Sequence, residues 1–285
     1  MTSDRIIPRI RTAERSELPM LVDWAAGEGW NPGLDDEDAF WAADPEGFLV
    51  AEVDGEIVCS VSAVRYGDDF GFIGFYICRP EWRGKGVGFQ LWSAGIDFLE
   101  GRIVGLDGVV AQQANYRKSG FTYVHGNKRF AGKCKVEVPT DPRLTLVGPS
   151  ELDAILQYDR AFFPADRSNF LKVWLTPTKT RTAVALMENG NVTGYGAIRD
   201  CREGSKIGPL FANTAENAAV LFAALASRRA GRTIILDTPL PNPEAVAMAH
   251  DHGLSPIFET ARMYRGGLPN MPLDQIFGIT TFELG

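Results

Sequence analysis

The segment ICRPEWRGKGVGF, residues 77–89, joins an apolar run to a helical pattern and decides how the whole chain is organised. Pro80 ends the apolar run, and Gly84, Gly86 and Gly88 remove every second Cβ where the chain bends into the helix. Successive backbone N–H groups can therefore converge on an anion at the positive end of that helix. We interpret the segment as a loop that binds pyrophosphate.

Two better-known glycine-rich loops do not fit this spacing. A P-loop needs Gly-x-x-x-x-Gly-Lys-Ser/Thr, and no hydroxyl residue stands at or beside Phe89. A dinucleotide-binding fingerprint needs Gly-x-Gly-x-x-Gly after the first strand, whereas this loop follows several predicted strands. A glycine-rich turn without a ligand remains the alternative.

An internal repeat accounts for the length of the chain. Its 285 residues correspond to about two domains at roughly 150 residues each. Residues 8–10 and 16–18 (Pro-Arg-Ile and Ser-Glu-Leu) recur as residues 142–144 and 150–152 (Pro-Arg-Leu and Ser-Glu-Leu), at a constant offset of 134 residues. We therefore predict two copies of one fold, over residues 1–138 and 139–285.

Hydrophobic periodicity predicts the same element order in both copies. In the first copy, a short strand precedes a helix opened by Ser16, and a second helix leads into three β-rich runs and the helix after the glycine loop. The predicted elements are strands at 10–12, 48–53, 57–65, 70–78, 103–106 and 121–130, and helices at 18–26, 35–42, 86–99 and 112–119. This pattern predicts an α/β fold in which each copy is a mixed, mostly antiparallel sheet flanked by helices.

Composition excludes several classes of protein. Hydrophobic residues make up 45% and charged residues 23%, as in globular proteins, and we find no apolar run of membrane-spanning length and no signal peptide after Met1, so we expect a cytoplasmic protein. Four cysteines without a Cys-x-x-Cys pair predict reduced, mostly buried thiols and no metal site.

Charge is strongly segregated along the chain. The net charge of −7 argues against nucleic-acid or anionic-membrane partners. Residues 17–69 hold fourteen acidic residues and one basic residue, whereas residues 79–135 hold ten basic and four acidic residues. The interpretations are two solvated faces, or one region that handles a cation beside one that handles a polyanion.

Two motifs together resemble the GCN5-related N-acetyltransferase (GNAT) superfamily. Arg83-x-x-Gly86-x-Gly88 follows an apolar strand, and Tyr116-x-x-x-Gly120-Phe121 comes one strand and one helix later. The resemblance covers residues 10–132. It implies acetyl-CoA as co-substrate, with Tyr116 protonating the departing thiolate. It also implies a set of cofactor-binding residues: Tyr76, Ile77, Cys78, Arg83, Gly84, Lys85, Gly86, Val87, Gly88 and Phe89.

The chain departs from the family pattern at two positions. Val109 stands where many members have an asparagine that holds the pantetheine, and Val104 stands at a usual site for a catalytic carboxylate. No general base is therefore carried over by the resemblance. Asp107 and Glu28 are candidates by position only.

The second copy lacks the loop chemistry. At the offset of 134, Ala218, Val220 and Phe222 replace the three glycines, and His250 replaces Tyr116. Bulky side chains keep the backbone away from a pyrophosphate. We therefore expect one competent site, in the N-terminal copy, and a degenerate second copy.

The acceptor is predicted from the segment between the first two helices, which in this family lines the acceptor pocket. Glu28, Trp30 and Asn31 are the candidate substrate-binding residues, and the acidic residues 35–38 predict a small cationic amine as acceptor. The sequence thus predicts an N-acetyltransferase, with a non-catalytic acyl-CoA-binding or sensor protein as the alternative. It leaves open whether the chain is a monomer or a homodimer.

The C-terminal tail extends past the repeat. Residues 275–284 alternate well enough for a strand of about eight residues. One hypothesis is that this strand, with the loop at residues 159–167, closes the acceptor side of the first copy's cleft. The alternative is that the tail only completes the second copy's own sheet.

Overall fold

The computed structural model describes residues 6–285, so the interpretation of the first five residues lies outside it. Over this range the chain forms one sheet of thirteen strands with eight α-helices around it. The strands are β1 Arg9–Thr12, β2 Phe48–Val53, β3 Glu56–Tyr66, β4 Phe70–Cys78, β5 Ile103–Val109, β6 Thr122–Gly132, β7 Leu144–Leu146, β8 Arg181–Glu188, β9 Asn191–Asp200, β10 Ser205–Ala212, β11 Ile234–Pro239, β12 Ser255–Arg265 and β13 Ile276–Gly278. The helices are α1 Leu18–Gly27, α2 Asp36–Ala43, α3 Val87–Phe98, α4 Gln113–Lys118, α5 Pro149–Asp159, α6 Ser168–Trp174, α7 Ala215–Ala226 and α8 Pro243–Asp251.

The mixed α/β fold class is confirmed, and the two halves share a continuous sheet. Its order is β1-β2-β3-β4-β5-β12-β6-β11-β10-β9-β8-β7, and β13 pairs with β10. The pairs β4–β5 and β10–β11 are parallel and the others antiparallel. Each half therefore places its last long strand in the other half: β12 lies beside β5, and β6 lies beside β11. The division at residue 138 stays a prediction.

Helix packing differs between the two faces of the sheet. On one face, α1, α2, α5 and α6 bury a single core that includes Phe40, Phe75, Phe163 and Trp174 from both halves. On the other face, α3 and α7 cover two separate cores. None of the helices in residues 6–285 is long and apolar enough to cross a bilayer.

One local prediction about helix capping was wrong. Ser16 does not open α1, because it lies inside a short 3₁₀ turn, Arg15–Glu17, and α1 begins at Leu18. The Glu17 carboxylate instead accepts a hydrogen bond from the Glu14 amide at 2.7 Å. Glu17, the third residue of this 3₁₀ turn, therefore caps the turn with its own carboxylate.

The cysteine prediction was wrong for one pair. Cys59 and Cys78 lie opposite each other in the antiparallel β3–β4 pair and form a disulfide. Antiparallel pairing brings residues of well-separated sequence position face to face, which spacing rules such as Cys-x-x-Cys do not detect. Cys134 and Cys201 are free thiols.

The C-terminal tail forms a much shorter strand than predicted. Only Ile276–Gly278 forms a strand, paired with β10 of the second half. From Ile279 the chain leaves the sheet and crosses to the first half, where the Tyr66 hydroxyl donates a hydrogen bond to the Leu284 carbonyl at 3.0 Å. The tail thus completes the second half's sheet and also packs against the first half.

Candidate functional site

A cleft of about 1210 Å³ opens in the first half, where two parallel strands diverge. Strands β4 and β5 pair only between residues 70–72 and 103–105. Beyond that point β4 bulges, with a register shift against β3 and a φ of 46° at Phe75. The two strands cannot keep pairing past such a bulge, so the sheet is open between their C-terminal ends.

The glycine loop forms one wall of the cleft at the start of α3. Gly84 and Gly86 have φ values of 74° and 80°, which side chains disfavour. The first helical hydrogen bond runs from the Gln90 amide to the Gly86 carbonyl at 3.3 Å. The amides before Gln90 therefore point out of the positive end of the helix, as an anion site requires.

The third glycine allows α3 to begin close to β4. A Cβ on Gly88 would lie 2.6 Å from the Cys78 sulfur and 2.8 Å from the Tyr76 hydroxyl. Any side chain at residue 88 would push the amides of the loop away from the strand.

Most predicted cofactor-binding residues line this cleft. They are Tyr76, Ile77, Cys78, Arg83, Gly84, Gly86, Gly88 and Phe89. The side chains of Lys85 and Val87 are directed elsewhere: the Lys85 ammonium lies 4.8 Å from the centre of the Trp82 ring, and Val87 is buried in the core beneath the loop. Only the backbone groups of these two residues are available to the cleft.

Tyr116 lies across the cleft from the glycine loop, on α4. Gly108 makes room for it, because a Cβ there would overlap the edge of the Tyr116 ring. The ring packs against Trp92, with centroids 5.6 Å apart. Burial raises the pKa of Tyr116 to about 12, with the Val109 amide opposing the shift. The phenol is therefore protonated at neutral pH and available as a proton donor.

The candidate substrate-binding residues do not all reach the cleft. Glu28 and Trp30 line it. The Glu28 carboxylate is bound by the Arg83 guanidinium at 2.5 Å, and that guanidinium also donates to the Cys78 carbonyl at 2.9 Å. Asn31 instead exchanges two hydrogen bonds, of 2.8 and 3.2 Å, with the backbone of Glu203 in the second half. Asn31 thus joins the two halves.

The acidic stretch that predicted a cationic acceptor is taken up by arginines. The fully buried Asp36 carboxylate accepts from Arg181 at 2.9 Å and from Arg199 at 3.0 Å, and these arginines hold its pKa below the ordinary range against the effect of burial. Asp35 also pairs with Arg181, while Glu37 and Asp38 contact an arginine near α1. Arg181 and Arg199 lie some 150 residues away from Asp36 in sequence, so no sequence pattern predicted these two pairings.

Asp107, the second candidate base, is also paired. Arg262 of β12 binds it through two nitrogens, at 2.9 and 2.6 Å, and the Asn127 amide donates to it at 2.6 Å. Its role in the structure is to fix β12 and β6 beside β5.

The second half contributes residues to the first half's cleft: sequence reasoning missed those of β12, whereas Phe282 belongs to the tail that one hypothesis placed there. Phe258, Thr260 and Arg265 of β12, together with Phe282 of the tail, line the cleft of the first half. Hydrophobic periodicity predicts that these segments form strands, but it does not say which strand each segment pairs with. The loop at residues 159–167 does not line the cleft; Arg167 holds the tail by donating to the Thr280 hydroxyl at 2.8 Å.

The corresponding region of the second half is closed. Strands β10 and β11 diverge as β4 and β5 do, but β13 occupies the gap: it pairs with β10, and the Ile279 amide donates to the Asp237 carbonyl at 2.8 Å. At the start of α7, the Thr214 hydroxyl accepts from the Asn217 amide at 3.2 Å. That helix terminus is satisfied by its own side chain.

Across residues 6–285, no group of three or more metal-ligating side chains is arranged to hold an ion. The chemistry that the cleft can perform is therefore built from backbone amides at one end, a protonated phenol at its middle, and an aromatic wall at the other end. The arrangement suits a substrate with an anionic tail and a reacting centre near Tyr116.

Comparison with known proteins identifies relatives of both halves. Residues 9–121 match the family model described as Acetyltransferase (GNAT) family, and residues 155–278 match the one described as Acetyltransferase (GNAT) domain. Holothin acyltransferase from Pseudoalteromonas sp. (strain SANK 73390) is 33% identical over 279 residues, covering 96% of this chain and 94% of its own.

Solved structures of low identity share the fold. A putative acetyltransferase from Pyrococcus horikoshii matches with a TM-score of 0.82 at 18% identity, over 100% of this chain and 99% of its own. A tandem GNAT protein from the clavulanic acid biosynthesis pathway matches with a TM-score of 0.63 at 11% identity, over 93% of this chain and 100% of its own. The tandem arrangement is thus found in a solved relative of the same fold.

Proposed function

Because the chain belongs to the GNAT family, as an acyltransferase with two GNAT domains, we propose that it transfers the acetyl group of acetyl-CoA to the amine of a small molecule. The observation that carries the proposal is the presence, in one cleft, of the outward-facing amides before Gln90 and the protonated phenol of Tyr116. An anion site and an acid on opposite walls are what a thioester of a phosphorylated carrier requires.

The proposed reaction is direct transfer. The amine nitrogen attacks the thioester carbonyl, a C–N bond forms, and the C–S bond breaks. Tyr116 gives its proton to the departing thiolate, and the proton released by the nitrogen passes to water. A positioned general acid of this kind contributes on the order of 100-fold or more to the rate.

We propose that only the first half binds the co-substrate. The glycine loop with free amides supports this role for α3, whereas Thr214 caps α7 and β13 fills the gap between β10 and β11. In this proposal the second half supplies part of the acceptor wall through Phe258, Thr260 and Phe282.

The acceptor is proposed as an amine, without a requirement for positive charge. The acidic residues that suggested a cation are held by arginines, with Asp36 between Arg181 and Arg199, so they are not free to bind an ammonium. Holothin, the compound named in the Pseudoalteromonas relative, is one candidate acceptor for the assay.

The test uses the purified full-length chain in two steps. Calorimetry with CoA counts sites per chain, and we expect one. The chain is then incubated with acetyl-CoA and a panel of primary amines that includes holothin, while free thiol is followed. Binding with amine-dependent thiol release supports the proposal; binding with no release for any amine indicates a sensor; no binding refutes it.

A further inference from the structure

The acceptor end of the cleft is an aromatic pocket, a name used here for Trp30, Phe75, Phe258 and Phe282 together. Trp30 and Phe75 meet edge to face, with centroids 6.4 Å apart, and Phe258 and Phe282 are 6.2 Å apart. The first pair comes from the first half and the second pair from β12 and the tail. Four rings from two sides favour a flat, apolar ligand with delocalised electrons.

Two cations and two carboxylates lie behind the aromatic pocket: Arg129 is paired with Asp237 at 2.7 and 2.8 Å, and Lys206 lies within the field of Asp237 and Glu283. The Arg129 guanidinium lies 4.9 Å from the centre of the Phe282 ring and donates to the Trp30 carbonyl at 2.8 Å. The buried Lys206 ammonium donates to the carbonyls of Trp30 and Asn31, at 3.3 and 2.9 Å. Because these cations are offset by Asp237 and Glu283, they add no net attraction for an ammonium, and the charge of the acceptor is decided by the carboxylates that line the cleft itself.

None of the carboxylates that line the described part of the cleft is free to neutralise an ammonium at the aromatic pocket. Within residues 6–285 they are Glu28, Asp97 and Asp107. Glu28 and Asp107 are each bound by an arginine. Asp97 is exposed near the C-terminal end of α3, away from the loop end of that helix. The described part of the cleft thus has neither a free counter-ion for an ammonium nor a free base at the aromatic pocket.

Three buried polar atoms near the rings have no hydrogen-bond partner among the described residues: the Thr260 hydroxyl, the Asn127 Oδ1 opposite it in the β12–β6 pair, and the Glu283 Oε1 next to Phe282. Of these three residues, Thr260 is the one that lines the cleft. Thr260 is 2% exposed and lines the cleft, yet its hydroxyl finds no hydrogen-bond partner among the described residues. It lies opposite Val109 in the β12–β5 pair. Buried hydroxyls in native proteins are normally bonded, so this one points to a polar atom of a ligand.

We infer that the acceptor is an uncharged amine carried on a flat, conjugated ring that lies in the aromatic pocket, with Thr260 as the residue that positions it. This inference rests on the proposed function. The nitrogen of such an amine already has a free electron pair at pH 7, so attack on the thioester needs no protein base. The C–N bond forms, the C–S bond breaks, Tyr116 protonates the sulfur, and water takes the proton from nitrogen.

The first test compares acceptor classes at saturating acetyl-CoA. An alkylamine with a lysine-like pKa of about 10.4 is neutral in roughly one molecule in 2,500 at pH 7. We expect ring-substituted anilines to exceed butylamine by at least 100-fold in kcat/KM at pH 7. The aniline rate should be flat between pH 7 and 9, whereas the butylamine rate should rise about ten-fold per pH unit. Preference for butylamine at pH 7, or a flat profile for it, overturns the inference.

The second test removes the Thr260 hydroxyl without changing its volume much. Thr260→Val should raise the KM for the aniline about three- to ten-fold, the worth of one neutral hydrogen bond, and leave the KM for acetyl-CoA unchanged. Thr260→Ser, which keeps the hydroxyl, should have the wild-type KM for the aniline. The matched control is Thr238→Val, another buried strand threonine, which does not line the cleft.

Measurements of thermal stability and of equilibrium binding distinguish a failure of this inference from a failure of the proposed function. Because the Thr260 hydroxyl is unbonded, Thr260→Val should melt at or above the wild-type temperature. Quenching of tryptophan fluorescence by the aniline, with CoA present, reports binding without turnover. Failure of the chain to bind CoA or to acetylate any amine refutes the proposed function. Acetylation confined to alkylamines, or an unchanged aniline KM in Thr260→Val, refutes only this inference.

Discussion

Gly74→Ala is the substitution that most directly probes how the tail closes the cleft. A Cβ at residue 74 would overlap the Glu283 carbonyl oxygen and lie 3.1 Å from its carbonyl carbon. These are backbone atoms, so no side-chain rotation relieves the clash, and the tail has to move. Since Phe282 precedes Glu283, the wall of the aromatic pocket moves with it.

The cost of this movement is set by what the tail contacts. Shifting packed backbone to admit one methyl group costs about 1–3 kcal/mol. Releasing the tail instead would expose Leu284, which is fully buried, at about 1.5–3 kcal/mol, and break the bond from Tyr66 at about 1 kcal/mol. Because the protein follows the cheaper route, the free energy of unfolding is expected to fall by about 1–3 kcal/mol.

Urea unfolding and steady-state kinetics measure the two consequences. We expect a raised KM for the amine and an unchanged dissociation constant for CoA, because the hydrogen bonds that hold the tail run to Tyr66 and Arg167 and not to the glycine loop. Gly71→Ala in the same strand is the control: its Cβ would meet the flexible tip of Leu99 at 2.7 Å, so a smaller loss of stability and no change in amine KM are expected. Equal stability and equal amine KM in the two variants would refute the idea that the tail shapes the site.

Three further predictions concern the loop, the acid and the joint between the halves. Gly86→Val should raise the dissociation constant of CoA at least ten-fold in calorimetry, whereas Gly101→Val, with a similar φ of 83° but outside the cleft, should leave it unchanged. Tyr116→Phe should lower kcat about 100-fold with little change in acetyl-CoA affinity. Because burial raises the pKa of Tyr116 to about 12, the wild-type kcat for a neutral amine should stay constant as the pH rises to 10. A decline of kcat with an apparent pKa near 9 would contradict the role of Tyr116 as the acid. Asp36→Ala leaves two buried guanidinium groups without their shared carboxylate and should cost about 3–5 kcal/mol in urea unfolding; a loss under 1 kcal/mol would show that Arg181 finds another partner.

The features that the sequence predicted are those set by neighbouring residues. The turn at Gly84 and Gly86 needs positive φ, which is a property of single residues, and the strands and helices of the first half follow from apolar periodicity. The Asn242 side chain caps α8 by accepting a hydrogen bond from the Ala245 amide at 3.0 Å. Each of these depends on contacts within a few positions along the chain.

The features that the sequence did not predict join distant segments. The exchange of β6 and β12 and the disulfide between Cys59 and Cys78 depend on which surfaces meet in three dimensions. The crossing of the tail to the first half, which the sequence offered only as one of two hypotheses, depends on the same contacts. The acidic stretch shows the consequence for function: as sequence it predicts a site for a cation, but in the fold Asp35 and Asp36 pair with arginines of the other half.

By itself, then, the sequence determined that there are two copies of one fold, where the glycine loop lies and which tyrosine shares its cleft, because backbone dihedral preference and periodicity are local. Only the tertiary structure decided that β12 and the tail line the first half's cleft, that β13 fills the second half's, and that four rings and the unbonded Thr260 hydroxyl line the same cleft. The physical reason is that a strand's own residues set its pattern of faces, whereas its pairing partner is chosen by the free energy of burying the whole assembled surface.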